Sequence, residues 1–169
     1  MPTFDFQDGK GSVPAHQHSN GDGWVADTAV VDTTAYVGPN ARVYGNAEVY
    51  GDARVFGNAV VYGDAIISDN AWVYGNAIVY GNAIISDNAI VYGNAKIFSN
   101  AKVYGNAKVS GNAVISGNMK LNSSKNISSN EQEIVMPSVK KDYPHLCPKC
   151  KSPAYVGFSK IECSNNCGV

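Results

Sequence analysis

Histidine is scarce in this sequence of 169 residues, and cysteine is confined to one end of it. No histidine lies between Trp24 and Tyr143, and the four cysteines all lie at or beyond Cys147. No run of about 18 apolar residues is present, and the N-terminus lacks the basic and then apolar pattern of a signal peptide. The sequence therefore predicts a cytoplasmic protein without a membrane partner.

Charge is also sparse, at 16% of residues, and it is unevenly distributed. Residues 1–95 carry three basic and ten acidic side chains, whereas residues 96–169 carry ten basic and four acidic ones. A formal net charge of −1 thus hides an acidic N-terminal part and a basic C-terminal part. The basic part is the one expected to attract an anion.

A six-residue repeat dominates the chain. An aliphatic residue returns every six positions, 16 times without a slip, from Val31 to Leu121. Two residues before each of them stands Ala, with Met119 as the exception, and Asn or Asp precedes that Ala from Asn40 onward. The consensus unit reads Gly-Asn-Ala-x-Val-Tyr.

Alternation within the unit predicts a short strand whose Ala and Val point inward while x and the aromatic residue point outward. Gly-Asn and Gly-Asp readily enter left-handed backbone conformations, so each unit can end in a tight corner. Three such sides close a triangular coil, and equivalent strands of successive coils then pair in parallel. Sixteen units give about five coils.

This repeat resembles the hexapeptide repeats of left-handed parallel β-helix proteins, a group that includes acyltransferases and γ-class carbonic anhydrases. The resemblance covers residues 29–121. It implies an all-β, left-handed parallel β-helix and a homotrimer. The chain departs from the family in one respect, because Tyr or Phe often follows the aliphatic residue where the family usually has a small one.

Positions three repeats apart share a face, so the outward residues form rows. Val, Ile, Trp and Tyr make an apolar belt between about residues 56 and 92. Soluble monomers rarely expose such a patch, which favours a homotrimer. The alternative is that these residues only cover the sheet as good β-formers.

Lysines stand above this belt and could hold a ligand between protomers. Lys96, Lys102 and Lys108 fall on three successive faces, Lys120 follows, and Tyr92 and Tyr104 could stack on a planar guest. We therefore predict an anionic ligand, such as a nucleotide. The alternative is that the lysines keep an exposed sheet soluble and prevent edge pairing.

Residues 1–28 lack the repeat and are expected to cap one end of the coil. They contain His16-Gln17-His18, which resembles the His-x-His of trimeric spike tips. Threefold symmetry would gather six imidazoles, enough for an octahedral metal, but surface or hydrogen-bonded histidines fit the pattern as well.

Residues 122–143 are polar and predict a flexible linker to a second unit at residues 144–169. Cysteines spaced in pairs, with a short hairpin predicted between the pairs, are typical of a four-thiolate zinc site: Cys147, Cys150, Cys163 and Cys167. Two disulfides would require an oxidising compartment, which conflicts with the absent signal peptide. The unit resembles zinc ribbons, and its Cys-Pro-x-Cys-Lys-Ser-Pro-Ala opening is similar to the small restriction-alleviation (Lar-like) proteins of phages.

Two classes of function follow, and binding leads. Hexapeptide-type enzymes usually place histidines on the coils, which this chain lacks. We expect a non-catalytic trimeric protein that holds an anionic small molecule or a host protein. The Lar-like resemblance implies a phage-encoded sequestering factor, and nucleic acid is an expected partner of the ribbon. The alternatives are a hexapeptide-type acyltransferase without histidine and a trimeric spike protein.

The zinc site is testable by elemental analysis. The purified protein should contain one zinc per chain, and Cys150→Ser should lose it because three thiolates hold the metal less tightly than four. Asn166→Ser, within the same segment, is the matched control and should retain the zinc. A zinc-free wild-type protein purified without chelators would contradict the site.

Overall fold

The computed structural model describes residues 1–123 and 126–128, together with the backbone of two strands at 154–156 and 161–163. All regular structure in this described part is β, and none of it is helical. Contacts divide the chain into two units, Met1–Pro137 and Ser138–Val169, which are described separately.

Three parallel sheets form the sides of a β-solenoid in the first unit. Each strand in a sheet is followed three repeats later by its neighbour. The strands of face 1 are Trp24–Ala26, Arg42–Val43, Val60–Val61, Ile78–Val79, Lys96–Ile97 and Val114–Ile115. Those of face 2 are Val30–Val31, Glu48–Val49, Ile66–Ile67, Ile84–Ile85, Lys102–Val103 and Lys120–Leu121. Those of face 3 are Tyr36–Val37, Arg54–Val55, Trp72–Val73, Ile90–Val91, Lys108–Val109 and Asn126–Ile127.

Pairing between coils has the predicted register of three repeats per coil. Ile78 pairs with Lys96 on face 1, and Ile66 pairs with Ile84 on face 2. Within one unit, the N–H groups of Asn76, Ile78 and Tyr80 donate to carbonyl groups of the next coil at 2.7, 2.9 and 2.9 Å. Each repeat thus contributes evenly spaced backbone hydrogen bonds to the coil above it, as expected of a parallel ladder.

The core consists of the inward-facing Ala and aliphatic residues, as the alternation predicted. Every Ala from Ala35 to Ala107 and every aliphatic partner from Val37 to Ile115 is 0% exposed. Ala and the aliphatic residue share the narrow interior of the coil, so a larger side chain at the buried Ala position would overpack it. Burial on this pattern makes the register unique, since a slip by one residue would turn the apolar side chains outward.

The corners use the backbone freedom expected of Gly. Gly75 has a φ of 75°, and a Cβ atom added there would lie 3.0 Å from the amide nitrogen of Gly93. Asp69 and Asp87 replace Gly at two corners with φ near 60° and 58°. Their carboxylates compensate for the strain by accepting backbone N–H bonds from the coil above: Asp69 from Asp87 and Asp87 from Gly105, at 3.2 and 2.8 Å.

The solenoid has about six coils rather than about five. Trp24–Ala26 pairs in parallel with Arg42–Val43 below the predicted repeat, and Asn126–Ile127 pairs with Lys108–Val109 above it. The aliphatic period does continue through Val25 and Ile127, both of which are buried. The consensus Ala is replaced by Gly23 and Lys125 in these two units, so the repeat signal weakens there.

The N-terminal residues close the lower end of the solenoid. Thr3–Asp5 and Ser12–Gln17 form an antiparallel hairpin whose second strand pairs with Trp24–Ala26. Phe6 is buried in a small cluster with Ala15 and Ala26. The hairpin therefore protects the lowest strand edge of face 1, which would otherwise be open to pairing with another chain.

The second unit contains an antiparallel pair of strands, Ala154–Val156 and Ile161–Cys163. A short hairpin at this place agrees with the sequence-based expectation. Within the described part of the chain, no helix is both long and apolar enough to cross a membrane.

Candidate ligand-binding surfaces

The four lysines predicted to bind a ligand lie on the upper coils of the solenoid. Lys96 is on face 1, Lys102 and Lys120 are cross-strand neighbours on face 2, and Lys108 is on face 3. All four side chains are exposed, and no described acidic group forms an ion pair with any of them. They form a band of positive charge that the described carboxylates do not compensate.

The two predicted tyrosines lie at different corners below or within this band. Tyr104 follows the Lys102 strand and precedes Lys108, so the three share the corner between faces 2 and 3. Tyr92 lies at the corner between faces 3 and 1, one repeat before Lys96. The solenoid thus separates the predicted residues into two groups rather than one pocket.

The apolar belt spans two successive coils on every face. Its outward residues are Val60, Ile66, Trp72, Ile78, Ile84 and Ile90. Five of them are half-buried by their neighbours, whereas Trp72 is 39% exposed. Arg42, Glu48 and Arg54 lie one coil below the belt. Lys96, Lys102 and Lys108 lie one coil above it.

Aromatic side chains stack at two of the three corners. Phe6, Tyr44, Tyr62, Tyr80 and Phe98 form a column between faces 1 and 2 with centroid spacings of 4.8, 5.0, 4.9 and 4.9 Å. Phe56, Tyr74 and Tyr92 form a second column between faces 3 and 1. Burial, and then the adjacent Tyr62, raises the pKa of Tyr44 to about 12. That phenol therefore stays neutral at physiological pH.

Asparagine side chains form hydrogen-bonded ladders at two corners. Before face 1, the side-chain amides of successive coils are joined by hydrogen bonds of 3.1, 3.1 and 3.0 Å: Asn58, Asn76, Asn94 and Asn112. Asn82, Asn100 and Asn118 are joined by bonds of 3.2 and 3.1 Å before face 2. Such ladders stabilise stacked parallel strands.

The equivalent row before face 3 is different. Asp52, Asn70 and Asn88 occupy the ladder positions, but among the described residues no hydrogen bond reaches their side chains. The two Asn residues follow Asp69 and Asp87, in Ser-Asp-Asn units that replace the usual Tyr-Gly-Asn. Serine stands here where the other corners carry stacked aromatic rings, so the polar row stays open to solvent.

An open groove of about 610 Å³ runs along face 3 beside this polar row. Its floor is the outward row of the face: Tyr36, Arg54, Trp72 and Ile90. The Arg54 guanidinium lies 5.4 Å from the centre of the Trp72 ring, and Phe56 meets the same indole edge-on at 6.1 Å. These two contacts fix the orientation of an exposed indole.

Sequence reasoning placed Trp72 and Ile90 in the belt but missed the groove. The spacing of one coil relates Asp52, Asn70 and Asn88, and also Arg54, Trp72 and Ile90. The change from Gly-Asn to Asp-Asn at two corners is the sequence feature that marks the groove. It is equally well explained by the turn conformation alone, since Asp and Asn both favour tight turns.

The two N-terminal histidines have separate partners within the chain. His18 is 5% exposed, and its Nε2 donates to the carbonyl oxygen of Ala35 at 3.0 Å. The Nδ1 atom of His16 is 2.9 Å from the carboxylate of Asp27 on the surface. The described residues contain no cluster of three potential metal ligands. These contacts favour structural roles for both imidazoles.

The proposed thiolate ligands fall outside the described residues. Cys147, Cys150 and Cys167 are among residues that the structure does not describe, and for Cys163 only the backbone of its strand is described. The paired strands of the second unit end at Cys163, which lies opposite Ala154.

Comparison with known families agrees with the fold. The model of the YdcK beta solenoid repeat matches residues 47–63, 71–85 and 101–118, all within the six coils. The chain is a β-helix repeat protein. No curated protein and no solved structure shows significant similarity to it. The match is to a repeat and carries no ligand or reaction with it.

Proposed function

We propose that this β-helix repeat protein is a non-catalytic homotrimer that holds an anionic ligand, such as a nucleotide, in clefts between its protomers. The observation that carries the proposal is the position of four exposed lysines without a described ion-pair partner. Three of them lie directly above a two-coil apolar belt, and Lys120 lies one coil higher. Association through the belt would bring lysines of neighbouring protomers together at one level.

Faces 1 and 2 are the better candidates for the protomer contact. Their belt residues are aliphatic and half-buried: Val60 and Ile78 on face 1, and Ile66 and Ile84 on face 2. Face 3 has a charged Arg54 against Trp72 and a row of polar side chains without partners among the described residues, which suit a solvent-facing side. Lys96, Lys102 and Lys120 then line the clefts, with Lys108 at their outer edge.

Charge favours an anionic guest in these clefts. The ten acidic residues in positions 1–95 lie mainly on the lower coils, whereas no described carboxylate pairs with the lysine band. A cluster of like charges raises the local potential and attracts a counter-charged ligand. Tyr104 shares a corner with Lys102 and Lys108 and offers a ring to a planar base.

Binding is favoured over catalysis because the coils lack histidine, the usual general base of hexapeptide-type enzymes. The coil is further proposed to be left-handed. The second unit is proposed to be a Lar-like zinc ribbon with Cys147, Cys150, Cys163 and Cys167 as ligands. A ribbon of this type, which could contact nucleic acid or a host protein, fits a phage-encoded sequestering factor in the cytoplasm.

Oligomeric state tests the first half of the proposal. Native mass spectrometry of the wild-type protein should give the mass of three chains, and Ile78→Glu with Ile84→Glu should give single chains because buried carboxylates would oppose the contact. Ile90→Glu, at the same level on face 3, is the matched control and should remain trimeric. A wild-type monomer would refute the assembly.

Anion binding tests the second half, with ATP as the probe. Calorimetry at low salt should detect binding that weakens as salt rises. Lys102→Glu with Lys120→Glu should reduce the affinity by about tenfold or more, since the local charge is reversed. Lys10→Glu, at the opposite end and 3.7 Å from the Asp8 carboxylate, should leave it unchanged. Equal affinity in all three proteins would exclude the lysine band as the site.

A further inference from the structure

We propose that the groove on face 3 is a second, separate binding site, and that it takes a neutral, β-linked oligosaccharide in extended form. The site lies below the lysine band and is distinct from the anion site in its residues. Its components are an oriented indole, a row of one carboxylate and two side-chain amides without hydrogen-bond partners among the described residues, and a net charge near zero.

The indole of Trp72 provides an apolar platform. It is 39% exposed, which is unusual for Trp, yet its orientation is fixed by Arg54 at 5.4 Å and Phe56 at 6.1 Å. Ile90 continues the row on the coil above, and Tyr36 lies at the lower end of the groove. An exposed, pre-oriented aromatic ring loses little conformational entropy when a flat apolar surface packs on it, and the C–H face of a pyranose is such a surface.

The polar row beside the platform supplies hydrogen bonds that the described fold does not use. Asn70 and Asn88 make no side-chain hydrogen bond to any described residue, although Asn76 and Asn94, at equivalent corners, are each bonded on both sides. An amide both donates and accepts, so each can bind adjacent hydroxyl groups of one sugar. The solenoid thus leaves its ladder unmade at the corner that borders the groove.

The spacing of these groups suits a polymer. Successive coils repeat at about 4.8 Å, which is close to the advance per sugar of an extended β-linked glycan. Asp52, Asn70 and Asn88 therefore present one polar side chain per sugar along the groove. The volume of about 610 Å³ accommodates a few sugars in an open cleft.

Charge argues against a nucleic acid in this groove. Its lining has one carboxylate, Asp52, and one guanidinium, Arg54, whereas a phosphate backbone requires several cations. A neutral ligand avoids the desolvation of an unpaired charge.

Titration with cellohexaose and chitohexaose tests the site. In the Trp24→Phe background Trp72 is the single tryptophan, so its fluorescence should change saturably with at least one of the two glycans at millimolar or lower concentration. Trp72→Ala should abolish the binding measured by calorimetry. Failure of both glycans to bind, or undiminished binding by Trp72→Ala, would overturn the proposal.

A pair of double variants separates binding from folding. Asn70→Ala with Asn88→Ala should weaken glycan affinity about tenfold or more and leave the melting temperature unchanged, because no hydrogen bond between described residues is lost. Asn76→Ala with Asn94→Ala should lower the melting temperature and leave glycan affinity unchanged. The reverse pattern would assign the row before face 3 a structural role only and overturn the proposal.

Two further measurements distinguish a glycan from a nucleic acid and the site on face 3 from the anion site. Tighter binding of oligo(dT) than of either glycan at Trp72 would replace the saccharide by a nucleic acid and so contradict the proposal. Lys102→Glu with Lys120→Glu should leave glycan binding intact, so failure of the anion site and failure of this site are distinguishable.

Discussion

Closure of each coil around small and aliphatic side chains is the constraint on which the rest of the structure depends. Three six-residue units must bring Ala and Val or Ile to a common axis in every coil, and every such residue in the middle coils is 0% exposed. The backbone cannot shift by one residue without turning this set outward. That register also aligns all the outward rows, including the lysines, the tyrosines and the open polar row.

Because the register is uniform, equivalent side chains on successive coils lie next to each other, and the same contact is repeated along the solenoid. Tyr44, Tyr62 and Tyr80 stack at 5.0 and 4.9 Å, and Asn58, Asn76 and Asn94 form a continuous amide ladder. Flat parallel sheets are typically stabilised by ladders of this kind. Where a row does not bond to itself, as at Asn70 and Asn88, the same periodicity leaves its side chains aligned and exposed to solvent.

The sequence predicted the coil, the inward and outward positions and the rows on each face, since these follow from the two-residue and six-residue periods alone. It underestimated the number of coils because the terminal units replace the consensus Ala by Gly23 and Lys125, although Val25 and Ile127 keep the period. It did not predict that the N-terminal hairpin would pair with face 1, because that contact depends on tertiary packing of Phe6. Nor could it distinguish Asn70 from Asn76, since whether an amide joins a ladder depends on the corner around it. The two corners differ at two positions, with Ser68 and Asp69 in place of Tyr74 and Gly75.

Length-changing variants test the central claim most directly, with thermal unfolding followed by circular dichroism as the measurement. Duplicating one whole coil, residues 75–92, keeps every inward residue inward and should leave the melting temperature equal or higher. Inserting a single residue between Ala77 and Ile78 puts the following side chains out of register and should abolish cooperative unfolding or lower the melting temperature steeply. Equal tolerance of both insertions would contradict a fold determined by the register of three repeats per coil.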